Sequence, residues 1–170
     1  PLVPVSNRKV IGVGAATYQS KGRIRSSIGV IDICIVFTHP PGLKSLKSRK
    51  IFVDTDTASD DAVALFMAFE HCSTSLIGIG VVAGNVPLEQ AVQNALFVRE
   101  LCQSQTPVYA GATRPLVRPL ETAQNVHGED GMGDIGLPID GRIPNEGHAV
   151  HALIDAVEKY AGALELVTLG

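Results

Sequence analysis

The sequence predicts an α/β domain built on an open, mostly parallel sheet. Two observations carry this reading. Short apolar, β-branched runs alternate with stretches of helical period between residues 51 and 169, in the order strand, helix, strand, helix, strand, loop, helix, strand. That order is the one a parallel sheet with right-handed crossovers requires. The composition, 45% hydrophobic and 18% charged over 170 residues, is enough for one ordinary domain with a buried core. With aromatics at 5% and no Trp, aliphatic side chains must fill most of that core.

The elements follow in order. Lys44 to Lys50 is a basic, polar lead-in, and Ile51-Phe52-Val53 is a short apolar run of the kind a buried strand shows. Ser59 is placed to cap a helix from Asp60 to about Cys72, with Asp60 and Asp61 in the first turn where the helix dipole favours acids. Ala62, Val63, Leu65, Phe66, Met67 and Phe69 make that helix apolar on nearly every side, which predicts deep burial. Leu76 to Val82 is a second strand with two glycines. Pro87 then opens a helix, and Ala91, Val92, Ala95, Val98 and Cys102 recur along it at helical spacing. Pro107-Val108-Tyr109 is a third strand. Gly111 to Gly147 is rich in Gly and Pro without a sustained period, and such a length favours a functional loop or short irregular pieces. Asn145 is placed to cap a helix running to about Tyr160, with Ala149, Val150, Leu153, Val157 and Tyr160 on one side and Gly162 as its stop. Leu164 to Leu169 is the fourth strand.

The net charge of −3 offers no electrostatic case for nucleic-acid binding. Nine Lys or Arg and a single acid, Asp32, fall in residues 1–50, which leaves five bases and sixteen acids for the rest. This shift marks a boundary: residues 1–49 are a basic extension of unknown role, expected to be poorly ordered, and residues 50–170 form the domain. The extension is basic, contains serines and is poor in acids, so organellar targeting is an alternative to a cytoplasmic location. Its longest apolar run, Ile28 to Phe37, is broken by Asp32 and too short to span a bilayer. Gly12-Val13-Gly14-Ala15-Ala16 begins like a dinucleotide loop, but Thr17 stands where the third glycine is needed. Cys34, Cys72 and Cys102 are odd in number and lack CxxC spacing, which fits reduced thiols in a reducing compartment.

The most informative stretch is Asp54-Thr55-Asp56-Thr57-Ala58-Ser59-Asp60-Asp61. Four carboxylates within eight residues follow the first strand, at the end of an open α/β sheet where ligands bind. Crowding four anions is unfavourable, and a hard cation with oxygen ligands, Ca²⁺ or Mg²⁺, would relieve the repulsion. The bland reading is a solvated acidic turn at a helix start.

Four stretches resemble the calcium-dependent nucleoside hydrolases. Ile51-Phe52-Val53-Asp54-Thr55-Asp56 with Asp60-Asp61-Ala62 is similar to their amino-terminal DxDxxxDDA motif, and Val82-Ala83-Gly84-Asn85 to their second-strand signature. His127-Gly128-Glu129-Asp130-Gly131-Met132-Gly133 resembles their HGxxGxG loop, and Leu166-Val167-Thr168-Leu169-Gly170 the start of LGPLTN. The resemblance implies a Rossmann-like sheet with helices on both faces, incomplete at its carboxy-terminal end. It also implies hydrolysis of the N-glycosidic bond of a nucleoside. Asp56 and Asp61 would bind Ca²⁺ through carboxylates and Leu169 through its backbone carbonyl. Asp56 would also take a proton from the attacking water, Asp60 and Asn85 would bind ribose hydroxyls, Asp54 would support the site from behind, and His127 would lie near the nucleobase. The substrate is then a nucleoside, with neither nucleic acid nor membrane as partner and a homo-oligomer left open.

Two departures stand out. The family commonly has Pro-Gly where this chain has Thr57-Ala58, and the family's carboxy-terminal half, with a late Asp that completes the calcium site, is absent from this sequence. A fragment and a catalytically inactive truncated relative are both compatible with that. A third reading, a phosphatase resembling the haloacid dehalogenases, shares the DxD after a strand but expects Thr or Val where Ala58 stands.

Overall fold

A computed structural model describes residues 17–26, 29–38, 49–71, 74–138 and 141–170. The Gly12–Ala16 stretch, Cys72 and the Cys34 side chain lie outside the described residues. Within the basic extension, β1 (Thr17–Ser26) pairs antiparallel with β2 (Gly29–Thr38), Thr17 opposite Thr38, as a sheet of its own.

The second sheet has five parallel strands. In chain order the elements are β3 (Arg49–Thr55), α1 (Ser59–Glu70), β4 (Thr74–Val81), α2 (Leu88–Leu101), β5 (Val108–Ala110), α3 (Gln124–His127), β6 (Asn145–His148), α4 (Ala149–Lys159) and β7 (Leu164–Thr168). The strands lie in the order β6-β5-β4-β3-β7, all pairs parallel. The chain therefore builds outward from β3 through β4 and β5 to β6, then crosses back to lay β7 on the other side of β3. That reversal makes the carboxyl end of β3 the topological switch point, where open α/β sheets hold ligands.

Alternation along β3 divides its residues between two layers. Ile51 and Val53 join Ile79, Val81, Val108 and the inward residues of α1 and α2 in one core. Phe52 points to the opposite face, where its ring lies over Gly78 and Gly80, and α4 covers that side through Ala149. Helices thus cover both faces, as expected. A Cβ at Gly78 would stand 2.6 Å from the Phe52 ring, so glycine here is what admits the aromatic ring. On the other face α2 is buried without a break from Gln90 to Val98.

Four local expectations need correction. Ser59 does not cap α1: Ala58 holds the N-cap position and no side chain caps it, because the Ser59 hydroxyl is turned to His127. Nor is α1 buried all round, since Val63 and Met67 are exposed and only the Asp61, Ala62 and Leu65 side faces inward. Asn145 does not begin a helix. Its Oδ1 accepts from the Val108 backbone N–H at 3.0 Å, which joins β6 to β5, and α4 is instead capped by His148, whose Nδ1 accepts from Val150 N–H. The buried face of α4 is also not the larger one: Ala149 and Ala156 are buried while Val150, Ile154 and Val157 are exposed. A small-residue face suits strands that carry Gly80 and a neighbouring Gly111, where a bulkier side chain than Ala149 would collide.

Among the described residues, no helix is long and apolar enough to cross a membrane. Cys102 is a free, half-buried thiol, pushed up to about 12 by burial and by the nearby Glu70 carboxylate.

Candidate active site

Three strand ends converge at the switch point. The β3 end delivers Thr55 and Asp56; Val82 N–H after β4 donates to Thr55 O at 2.9 Å, and Leu169 N–H after β7 donates to Asp54 O at 2.8 Å. Gly170 packs so closely that an added Cβ would lie 3.1 Å from Asp56 N. The residues expected from the first, second and last motifs are thus brought together.

Asp56 is buried, and its Oδ2 accepts from the Asn85 backbone N–H at 2.6 Å. Gly84 leaves the space this requires: a Cβ there would stand 2.1 Å from Asp56 Oδ2. Asp61 is also buried, and its Oδ2 accepts from Thr55 Oγ1 at 2.8 Å. The Asp61 carboxyl is pushed up to about 6, first by burial and then by a hydrogen bond and repulsion from Asp56, against the opposing hydrogen bond from Thr55. Asp54, half-buried behind the loop, is raised by burial and by Asp56. Asp60 by contrast is exposed.

His127 reaches this loop from the other side. Its Nδ1 lies 3.2 Å from Ser59 Oγ and 3.9 Å from Asp60 Oδ1, so the glycine-rich loop and the start of α1 face each other. Gly133 N–H returns onto His127 O at 2.8 Å, and Gly128, Gly131 and Gly133 all have positive φ, a backbone that other residues rarely adopt.

Two residues that organise the loops carried no assigned role in the sequence reading. The buried Asp130 carboxylate accepts backbone N–H bonds from Met132 (2.8 Å), Asp134 (2.9 Å), Gly136 (3.0 Å) and Leu137 (3.4 Å). Asn94 sits on the buried side of α2 and contacts both loops. The available signal was the polar pair Gln93-Asn94 inside an otherwise apolar run, Ala91 to Val98.

Among the described residues, no three His, Cys, Asp or Glu side chains gather into a group able to hold a metal ion. The loop does present Asp56 and Asp61 as neighbouring carboxylates that repel each other. Their hard oxygen donors fit Ca²⁺ or Mg²⁺ in kind, as two of the roughly six to eight oxygens that Ca²⁺ takes.

Fold and loop define a class: an open parallel α/β protein with an oxygen-rich crevice at its switch point. The family model described as inosine-uridine preferring nucleoside hydrolase matches residues 51–170, and the chain belongs to that family. The pyrimidine-specific ribonucleoside hydrolase RihB of Escherichia coli O1:K1 / APEC is 38% identical over 126 residues, 74% of this chain and 40% of that protein. Among solved structures, the purine-preferring ribonucleoside hydrolase from Gardnerella vaginalis aligns with a TM-score of 0.67 and 34% identity, covering 72% of this chain and 40% of that one. A plant nucleoside hydrolase, PpNRh1, aligns with a TM-score of 0.67 and 33% identity, over 72% and 39%. The chain spans about 40% of the length of these relatives. Membership in this family replaces the haloacid dehalogenase alternative.

Proposed function

We propose that a protein carrying this chain together with the rest of the family's fold hydrolyses the N-glycosidic bond of ribonucleosides, giving free base and ribose with Ca²⁺ as cofactor. The observation that carries this is the convergence of Asp56, Asp61, Asn85 and Leu169 at one strand-end crevice in a chain of this family. Asp56, Asp61 and the Leu169 carbonyl would hold the ion. A bound divalent cation supplies the charge that acidifies a water nucleophile near neutral pH. Asp56 then accepts the proton of the attacking water, and the surrounding carboxylates stabilise positive charge as it builds on the ribosyl carbon. Asp60 and Asn85 take the ribose hydroxyls and fix the sugar for in-line attack. His127, adjacent to Asp60, is assigned to the nucleobase end.

One relative is named for pyrimidine and one solved neighbour for purine nucleosides, so the class supported is the ribonucleoside, recognised through its sugar. The test is an assay of reducing sugar released from inosine, uridine and the other common ribonucleosides, with calcium and without phosphate. Ribose from at least one substrate is expected. No release from the whole panel overturns the proposal.

A further inference from the structure

We infer that Asn94 is a positioning residue that holds the acidic loop and the glycine-rich loop at a fixed separation. Its side chain is fully buried on α2. Nδ2 donates to Thr57 O at 2.9 Å and to Asp130 O at 2.9 Å, while Oδ1 accepts from Gln90 Nε2 at 2.9 Å. Both amide hydrogens are therefore committed, one to each loop. Turning the amide over would aim its oxygen at two carbonyl oxygens, so the network fixes the orientation.

Each contact leads onward to the crevice. Thr57 N–H donates to Thr55 Oγ1 at 3.1 Å, and Thr55 Oγ1 donates to Asp61 Oδ2. On the other side, the Asp130 carboxylate gathers the loop amides from Met132 to Leu137, and the loop folds back onto His127. The two loops meet again where Ser59 and His127 face each other at 3.2 Å. Asn94 is thus the inner strut of a closed circuit whose outer contact joins Ser59 to His127. Gly131 leaves no slack beside it, because a Cβ there would stand 2.7 Å from Val86 Cγ1 and 3.3 Å from Asn94 Nδ2. α2 can serve as the anchor because its residues from Gln90 to Val98 are buried.

The purpose assigned to the strut, keeping His127 against Asp60, rests on the hydrolase reading above, whereas the coupling itself is tested without turnover. Failure of one and failure of the other are therefore separate results. Asn94→Leu keeps volume and burial but removes both donors. Hydrogen exchange in segments 55–60 and 128–137 should accelerate about tenfold or more while segments in β4 and α2 stay within about twofold. The nuclear Overhauser contact between the His127 ring and the Ser59 methylene should disappear. Gln90→Leu, which removes the third bond only, should leave the loops protected and the contact present. In the unaltered protein, denaturant-dependent exchange should show both loops opening as one unit, a measurement that does not depend on whether the variant folds. Loops that open independently there overturn the inference. So does Asn94→Leu if the His127–Ser59 contact survives, or if it loosens α2 and β4 as much as the loops.

Discussion

At Asp61 four influences meet: burial first, then Asp56 and Asp60, push its carboxyl up from 3.8 to about 6, while the Thr55 hydroxyl opposes them. The sign of the consequence follows by linkage. The folded state holds the Asp61 proton more tightly than the unfolded chain does. Its contribution to stability is complete below the unfolded value of 3.8 and is lost as pH rises through about 6. Without divalent cation, thermal stability should fall across that window, and Asp61→Asn should flatten the fall. The variant should be more stable than the parent at neutral pH by about 1–2 kcal/mol, the full shift being discounted for solvent screening. Thermal melts of both proteins at several pH values, in chelator, check this. Parallel curves for variant and parent would refute it. The same residue also explains how the acidic loop could be read from the sequence. Four acids after an apolar run state a local electrostatic problem, and in the structure it is sharpest at the buried pair Asp56 and Asp61, with Asp54 half-buried beside them and Asp60 exposed.

Among the elements, the long segment between β5 and β6 has few regular hydrogen bonds of its own and depends on side chains instead. Asp130 supplies the acceptors for four of its amides. Asp130→Asn turns one acceptor oxygen into a donor facing N–H groups, and should lower stability by about 1.5–3 kcal/mol. Denaturant unfolding should show the loss, and limited proteolysis should cut first between Gly131 and Leu137. An unchanged midpoint and cleavage pattern would contradict the role. Strands and long helices were legible because β-branched runs and helical period are local signals, and β3, β4, α2 and β7 fall close to where those signals place them. Sequence and structure part where a side chain's partner is distant in sequence. Ser59 has the composition of a cap but faces His127, 68 positions away. Asn145 likewise faces Val108, 37 positions away. On α4, hydrophobicity ranks Val above Ala for the buried side, whereas the glycines of the sheet select the smaller residue. Asn94 is silent in the sequence for a related reason: a polar residue among the buried positions of a helix has meaning only once its two loops are in place.

Over the whole molecule, the two edges of the five-stranded sheet differ in character. β6 is short and polar, Asn-Glu-Gly-His, and so discourages pairing with another chain. β7 carries Leu166, Val167 and the following Leu169 partly exposed, and the outward side of α4 adds Val150, Ile154 and Val157. As an isolated polypeptide the 170 residues should self-associate, and Val167→Lys should shift the population toward monomer. Light scattering after gel filtration would show it; a monomeric parent at micromolar concentration would not fit. The sheet also imposes an order in time. β3 is the first strand of the sheet to leave the ribosome, yet one of its two neighbours is β7, and Arg49 pairs with Glu165 across 116 positions of chain. Closing so long a loop before its contacts form is entropically slow. The backbone that seats Asp56 against Gly170 can therefore form only after α1, α2 and α4 have been synthesised, so a nascent chain carries its four loop acids uncompleted until β7 has followed. The acidic loop is thus made well before the strand that closes it.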